Sequence, residues 1–406
     1  MGIIVQKFGG TSVASEERLR LVARKIAATR KQGHDVVAVV SAMGNTTSEL
    51  LDLATNLAPH PQRRELDMLL SAGERISMSL LSMTLQQMGI NAISLTGPQS
   101  GIHTTDTHFN ARIKEVRPDR VRREIDAGNV VVVAGYQGVN SRGEVTTLGR
   151  GGSDTTAVAI AAALGAEHCE ICSDVDGVYS ADPRVVEDAE RIDRMNHEEM
   201  LELARHGASV LNSRSVEYAW KRDLDLRARS TFDDGEGTLI TRDTPEHDIS
   251  VTGIAGHKSL VRINAASDDE SQAIVADLLG DADAFLSIDV DDDRRDLYVS
   301  ADDIADIKAL GEQLESDLSE RVNVETGIAS ASAVGLRIGS CEETRARVAR
   351  VLESAGITVR NTYCDNHSIA CIVPENQRSR AMNALHRHFI EGVEIETSTR
   401  NGKAVA

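Results

Sequence analysis

The stretch Asn129–Val130–Val131–Val132–Val133–Ala134–Gly135 limits the possible folds more than any other part of this sequence. Its apolar residues do not alternate with polar ones, so a strand built from it has protein on both faces. That is the condition of a parallel sheet covered by helices. Asp35–Val36–Val37–Ala38–Val39–Val40–Ser41 repeats the pattern. Further strands are predicted over 2–7, 90–95, 168–173 and 224–230. Helical periodicity marks 15–32, 62–88, 118–127, 153–164 and 197–221. Strand and helix alternate, so residues 1–232 read as one α/β domain, a three-layer sandwich with a largely parallel sheet.

The composition becomes acidic and turn-rich at 233–248 (DDGEGTLITRDTPEHD), and we place a linker over 233–250. Beyond it one order of elements appears twice. The first pass is strand 258–264, helix 269–279, strands 284–290 and 295–300, helix 302–318, strand 321–326. The second is strand 333–338, helix 341–355, strands 357–363 and 367–373, helix 376–388, strand 392–397. Each is βαββαβ, the ferredoxin-like pattern. The repeat of about 70 residues predicts two related small domains, at 251–328 and 329–398, with a tail at 399–406. The acidic run 289–296 reads as a solvated turn and lacks the EF-hand spacing.

At 406 residues the chain exceeds one ordinary core. A formal charge of −19 disfavours nucleic acid as a partner. No apolar run approaches the ~20 residues that span a bilayer, and the first residues lack the charged and apolar regions of a secretory leader. The expectation is a cytoplasmic protein without membrane contact. Five cysteines are too few and too scattered for a disulfide framework. Cys169 and Cys172 sit in a predicted strand, where i and i+3 face opposite ways, so no shared metal is expected. His103 and His108 read as loop histidines. Only eight lysines occur, so each one beside a glycine loop draws interest.

Four segments combine glycines and hydroxyls, three of them with charge: Lys7–Phe8–Gly9–Gly10–Thr11–Ser12 and Ser41–Ala42–Met43–Gly44–Asn45–Thr46–Thr47 at predicted strand ends, Ser71–Ala72–Gly73–Glu74–Arg75–Ile76–Ser77, and Thr147–Leu148–Gly149–Arg150–Gly151–Gly152–Ser153–Asp154 leading into a predicted helix. Glycine turns at helix starts present unpaired amides that suit anions. An arginine there can clamp a carboxylate or phosphate bidentately. One such turn can be plain punctuation, but four with Lys7 and Arg150 among them point to phosphate chemistry. A fifth segment, Ser173–Asp174–Val175–Asp176–Gly177–Val178–Tyr179–Ser180–Ala181–Asp182–Pro183–Arg184, reads as a strand ending in an Asp-Gly turn or as part of a nucleotide pocket.

These segments, in this order, resemble the amino-acid-kinase family in its aspartate-kinase branch: KFGGTSV, SAMGNTT, AGERIS, TLGRGGSDTTA and SDVDGVYSADPR all match across residues 1–230. The tandem repeats are similar in layout, and in VTGIAGHK (251–258), to that family's ACT regulatory domains. The resemblance implies transfer of the γ-phosphoryl group of ATP to the side-chain carboxylate of L-aspartate, the first step of aspartate-family amino-acid biosynthesis. Mg2+ would be bound through the nucleotide phosphates, with no metal ligands from the chain. By matching position, Lys7 would stabilise the transferring group, with Asp154 orienting it. Gly9, Gly10 and Gly44 would offer amides to the phosphates beside Ser41. Thr47, Glu74, Arg150 and Ser153 would hold aspartate, Glu74 near its ammonium and Arg150 on its α-carboxylate. Ser173, Asp174, Tyr179 and Arg184 would line the nucleotide pocket.

The sequence departs from the family at Gly207–Ala208–Ser209–Val210–Leu211, where a lysine usually stands in place of Ser209. The turns that grip an effector in the family are not evident at 265–270 or at 339–342. Two readings of the C-terminal pair stay open, control by lysine or threonine and dimerisation alone. A homodimer or larger through these domains is expected, since paired ferredoxin-like sheets expose strand edges. A catalytically weak regulatory paralogue and a kinase for an aspartate analogue are the alternatives.

Overall fold

The computed structural model describes residues 2–59, 61–242, 250–279, 284–304 and 306–393. It divides into two compact units. The first holds the chain up to Val178, Arg191–Ala204, and the stretch from Ser209 through the last strand before residue 242. The second holds Tyr179–Glu190, Arg205–Ala208 and the chain from residue 250 on.

The first unit is built on an eight-stranded sheet. Its strands are β1 (Ile3–Phe8), β2 (Asp35–Val40), β3 (Ala92–Leu95), β4 (Val130–Ala134), β5 (His168–Ser173), β6 (Arg194–Met195), β7 (Leu226–Ser230) and β8 (Thr238–Ile240). They lie in the order β6-β8-β7-β5-β1-β2-β4-β3. From β7 to β3 every neighbouring pair is parallel. β4 is buried at all five positions, as its unbroken apolar run requires.

Helices cover both faces. On one face, α1 (Glu16–Lys31) contributes Leu19, Val22, Ala23 and Ile26. α4 (Ala72–Gln87) adds Met78, Leu81 and Leu85 to the same core, against Phe8, Val132 and the alternating Val36, Ala38 and Val40 of β2. On the other face lies α6 (Gly152–Leu164), packed between β1 and a later helix, α8 (Ser213–Lys221). Apolar on nearly every side, α6 has no solvent face to keep polar.

Two predicted helices are each divided. The span 62–88 breaks at Ser71 into α3 (Arg63–Leu70) and α4, which lets Gly73 lie against Ala42, where a Cβ would come within 2.8 Å of the Ala42 methyl. The span 197–221 splits into α7 (His197–Arg205) and α8, because Asn212 caps the amides of Arg214 and Ser215 and so starts a new helix. The Ser41–Thr47 segment opens through Gly44 into a helix, α2 (Thr46–Leu57), while β6, the strand Gly253–Ala255 and a four-stranded sheet of Ile102–Thr104, Ile113–Val116, Gln137–Val139 and Val145–Thr147 lie outside the predicted elements. Helix α5 (Asp119–Asp126) falls within its predicted span. The stretch read as a linker carries β8, which pairs antiparallel with β7.

The second unit contains a single seven-stranded sheet. Its strands are β9 (Gly253–Ala255), β10 (Leu260–Ala266), β11 (Ala284–Asp289), β12 (Arg294–Ser300), β13 (Val322–Val334), β14 (Asn361–Cys364) and β15 (Ser368–Pro374). The order is β11-β12-β10-β13-β15-β14, with β9 also on β13. Helices α9 (Asp269–Leu279) and α10 (Ile307–Leu318) close one core over β10, and α11 (Glu342–Ser354) and α12 (Arg378–Phe389) close another over β13 and β15.

The predicted strand 321–326 runs on as one strand to Val334, so no break in the chain separates the repeats at 328. The predicted strand 333–338 is not formed beyond Val334, where the chain turns into a 3-10 turn at Ile338–Ser340. The first half of β13 pairs with β10 and its second half with β9. β9 thus takes the sheet position that a ferredoxin-like repeat gives to its last strand. Most of the predicted strand 392–397 lies outside the described residues. The acidic run is a turn only in part: Asp291, Asp292 and Asp293 are exposed, but Asp296 is buried and accepts from Arg262 and Asn264. Among the described residues no helix is long and apolar enough to cross a membrane.

Candidate active site

The parallel strands β5, β1, β2 and β4 all end at one edge of the sheet. β1 is the switch point, with later strands added on both sides, and α/β sheets bind ligands outside such strand ends. The loops there are joined by backbone hydrogen bonds. Gly9 donates to the Cys172 carbonyl at 3.2 Å, Gly44 to the Gly10 carbonyl at 3.0 Å, and Gly135 to the Val40 carbonyl at 3.0 Å. Gly10 sits tightly between these loops, since a Cβ would lie 3.0 and 3.1 Å from the carbonyl oxygens of Gly44 and Ala42, which would have to give way to it.

Lys7 is the last residue but one of β1 and points away from the Phe8 face, as alternation along a strand requires. Its Nζ lies 2.6 Å from Asp154 Oδ1, and each side chain is 12% exposed. The contact is an ion pair set off the line of a hydrogen bond. Asp154 reaches Lys7 from the first turn of α6, where an acidic residue also suits the helix dipole. A Cβ on Gly9 would sit 3.6 Å from the Lys7 ammonium, in ordinary contact, so this residue lies directly beside that charge. Ser153 is buried against Gly135, where a Cβ would collide with its side chain at 2.8 Å.

Glu74 occupies the first turn of α4 and is 3% exposed. Its Oε1 accepts the Ala42 amide at 3.1 Å, while its Oε2 is buried with no hydrogen-bond partner. Burial pushes its carboxyl up to about 7, against the backbone amides that pull it down. An acid in this state lacks a cationic partner. Ser41 donates its amide to the Phe8 carbonyl, continuing the ladder between β1 and β2, and Thr47 stands in the first turn of α2. Arg150 is exposed between Gly149 and Gly151, whose φ of 72° and 70° needs glycine, and its carbonyl lies 3.5 Å from the Asn212 amide nitrogen.

The fifth segment is less compact. Ser173 ends β5 and turns the chain by accepting from the Val175 amide at 3.3 Å, with Asp174 exposed beside it. Tyr179 and Arg184 belong to the other unit, where Arg184 pairs with Asp182 at 2.9 Å. Ser209, at the divergent position, is exposed. Cys169 and Cys172 are fully buried thiols, and burial pushes Cys172 up to about 12.

Sequence reasoning overlooked several residues. His108 lies in a loop as expected, but its Nδ1 lies 2.6 Å from the buried Asp67, whereas His103 is not a loop histidine and belongs to the strand Ile102–Thr104. Ser12 and Thr231 join the loop after β1 to the end of β7 through their hydroxyls at 2.7 Å. No local signal marks such pairs, since their partners are 41 and 219 residues apart.

Residues 2–227 match the amino acid kinase family. A protein of Bacillus sp. (strain MGA3) named aspartokinase is 41% identical over 96% of this chain and 97% of its own. The aspartokinase of Corynebacterium glutamicum is 42% identical, over 98% of each. Among solved structures, E. coli aspartokinase III in complex with aspartate and ADP has a TM-score of 0.80. It is 25% identical and covers 95% of this chain and 99% of its own.

Proposed function

This chain belongs to the amino acid kinase family and within it to the aspartokinases, and from that premise we infer that it transfers the γ-phosphoryl group of ATP to the side-chain carboxylate of L-aspartate. The product is 4-phospho-L-aspartate. The observation that carries the assignment to this site is the Lys7–Asp154 ion pair at the ends of the central strands. Glu74 supports it, with one carboxyl oxygen bonded to the loop after β2 and the other unpartnered.

The reaction brings two anions together. The acceptor is already ionised at neutral pH, so no general base is needed. Catalysis therefore rests on positioning and on neutralising charge. Lys7 would meet the transferring group, and Asp154 would hold the ammonium in place. Gly10 would let the backbone approach the phosphates, whereas the Gly9 and Gly44 amides, expected to meet them, are already donated to the Cys172 and Gly10 carbonyls and so shape the loops instead. Glu74 would receive the substrate ammonium on its unpartnered oxygen, and Arg150 would clamp the α-carboxylate, with Thr47 and Ser153 adding hydroxyl contacts. Ser173 and Asp174 would border the nucleotide. For Tyr179 and Arg184 that role rests on the family resemblance alone. The donors around Lys7 are amides and a cation, which fits a magnesium ion held through the nucleotide phosphates. When bound, that ion would neutralise phosphate charge.

The same reading gives a cytoplasmic enzyme that forms a homodimer or larger through the C-terminal sheet, whose outer strands β11 and β14 each have one unpaired edge among the described residues. The test is to incubate the chain with MgATP, L-aspartate and hydroxylamine. Aspartyl hydroxamate is expected. Its absence at millimolar substrate overturns the reading, and product from aspartate analogues alone would change the acceptor.

A further inference from the structure

The two residues that would grip the α-amino acid come from different elements, and one buried carboxylate ties those elements together. Asp67 lies on α3 and is fully shielded from solvent. Its Oδ1 accepts from the Thr147 hydroxyl at 2.6 Å and from the Phe109 amide at 3.0 Å. Its Oδ2 lies 2.6 Å from His108 Nδ1, and His108 Nε2 lies 3.3 Å from Glu144.

Each side of this cluster leads to the site. α3 runs through the buried Ser71 into α4, where Glu74 stands in the first turn. Thr147 ends the strand that passes through Leu148 and Gly149 to Arg150. Gln137 supports the same link, pairing with Thr147 across the small sheet and donating to the Ser71 carbonyl at 3.0 Å. Phe109 has a φ of 74°, rare for a bulky residue, and Asp67 holds its amide. Next to it, Asn110 packs where a Gly149 Cβ would be, 2.7 Å away, so the loop forms a wall of the Arg150 turn.

A buried carboxylate is costly unless its lone pairs are filled. Burial raises the Asp67 pKa even against its donors. All three donors flank the segment that delivers Arg150, a pattern that packing alone does not require. We propose that Asp67 is a positioning residue: through Thr147, Phe109 and His108 it sets the spacing between Arg150 and Glu74, and so the affinity and side-chain-length selectivity for the amino acid. This rests on the aspartate-kinase reading.

The test compares the full-length chain with Asp67→Asn and Thr147→Val, the second removing only a hydroxyl. For each, kcat, KM for L-aspartate, KM for ATP, selectivity for L-aspartate over L-glutamate and Tm are measured. Both variants are expected to raise KM for L-aspartate about tenfold or more while KM for ATP stays within about twofold, and to lower the selectivity ratio. Unchanged KM for aspartate in a folded Thr147→Val chain, or equal rises in both KM values, overturns the proposal. A wild-type chain without hydroxamate product refutes the functional reading and this proposal with it. Wild-type product with unaltered variants refutes this proposal alone.

Discussion

Glu74 should make the enzyme less stable as the pH rises, and replacing it with glutamine should remove that dependence. Its carboxyl is pushed from an ordinary 4.5 up to about 7 because it is buried. The folded state therefore keeps a proton that the unfolded state loses between those values. The stability associated with that proton is fully present below 4.5 and is lost as pH rises through about 7. A gap of about 2.5 between the two pKa values corresponds to about 3 kcal/mol. Glu74→Gln does not titrate, so the stability of the variant relative to wild type should grow by about 3 kcal/mol between about pH 4.5 and pH 8. Any packing cost of the amide is the same at every pH and cancels in that difference. In a unit of this size it amounts to roughly 6–12 °C in relative Tm. Calorimetric Tm values for both proteins at about pH 5, 6, 7 and 8 give the answer, and parallel curves would refute the reasoning. The variant should also lose affinity for L-aspartate. In wild type, KM for L-aspartate should rise as pH falls below about 7, because a protonated Glu74 no longer attracts an ammonium.

Three further outcomes follow from particular contacts. Lys7→Ala should lower kcat by about a hundredfold or more, since its charge acts on the transferring group, and should also lower Tm, because it leaves the buried Asp154 carboxylate without its counter-ion; steady-state kinetics and calorimetry read both. Gly10→Ala should weaken ATP binding, because its Cβ would press on the carbonyls of Gly44 and Ala42 at 3.0 and 3.1 Å and push the two loops apart; titration calorimetry with ATP checks it. Glu170→Gln should lose about 3 kcal/mol at pH 7. Burial would raise this carboxyl, but His168, Arg229 and Gln6 together hold it down to about 2, so its stabilisation is present above 4.5 and fades as pH falls toward 2. Urea unfolding of the two proteins should converge near about pH 2.

The fold was legible where a single element carries its own signal. The run 130–134 declares a strand buried on both faces, and β4 has that form. Helices were legible as periodicity but not as boundaries: Ser71 and Asn212 each divide a span whose apolar pattern continues across it. The run of 321–326 on to Val334, at the expense of a separate strand at 333–338, was hidden because each piece looks like an ordinary strand, and only the pairing of β9 and β10 along one strand sets its length. At the site, Lys7, Glu74, Arg150 and Asp154 were visible as charges among glycines. Asp67 was not, because a lone aspartate in the amphipathic helix Arg63–Leu70 looks like a solvent-facing residue until the small sheet closes over it.

The order of lysine and glycines in KFGG also has a physical reason. In a Walker loop the lysine follows the glycines and starts a helix. Here Lys7 belongs to β1, and its counter-ion comes from α6 on the same face of the sheet. A largely buried ion pair adds little to stability, since apolar residues of similar size often serve as well. Its place at the strand ends therefore argues for a charge kept ready for a ligand. A lysine ammonium has three donors. Asp154 fixes its position at 2.6 Å from off the line of a hydrogen bond, which leaves donors for the oxygens of a transferring phosphoryl group. Gly9, without a side chain, leaves open the space beneath those donors, so Lys7, Gly9 and Asp154 act as one device assembled from two elements far apart in the chain.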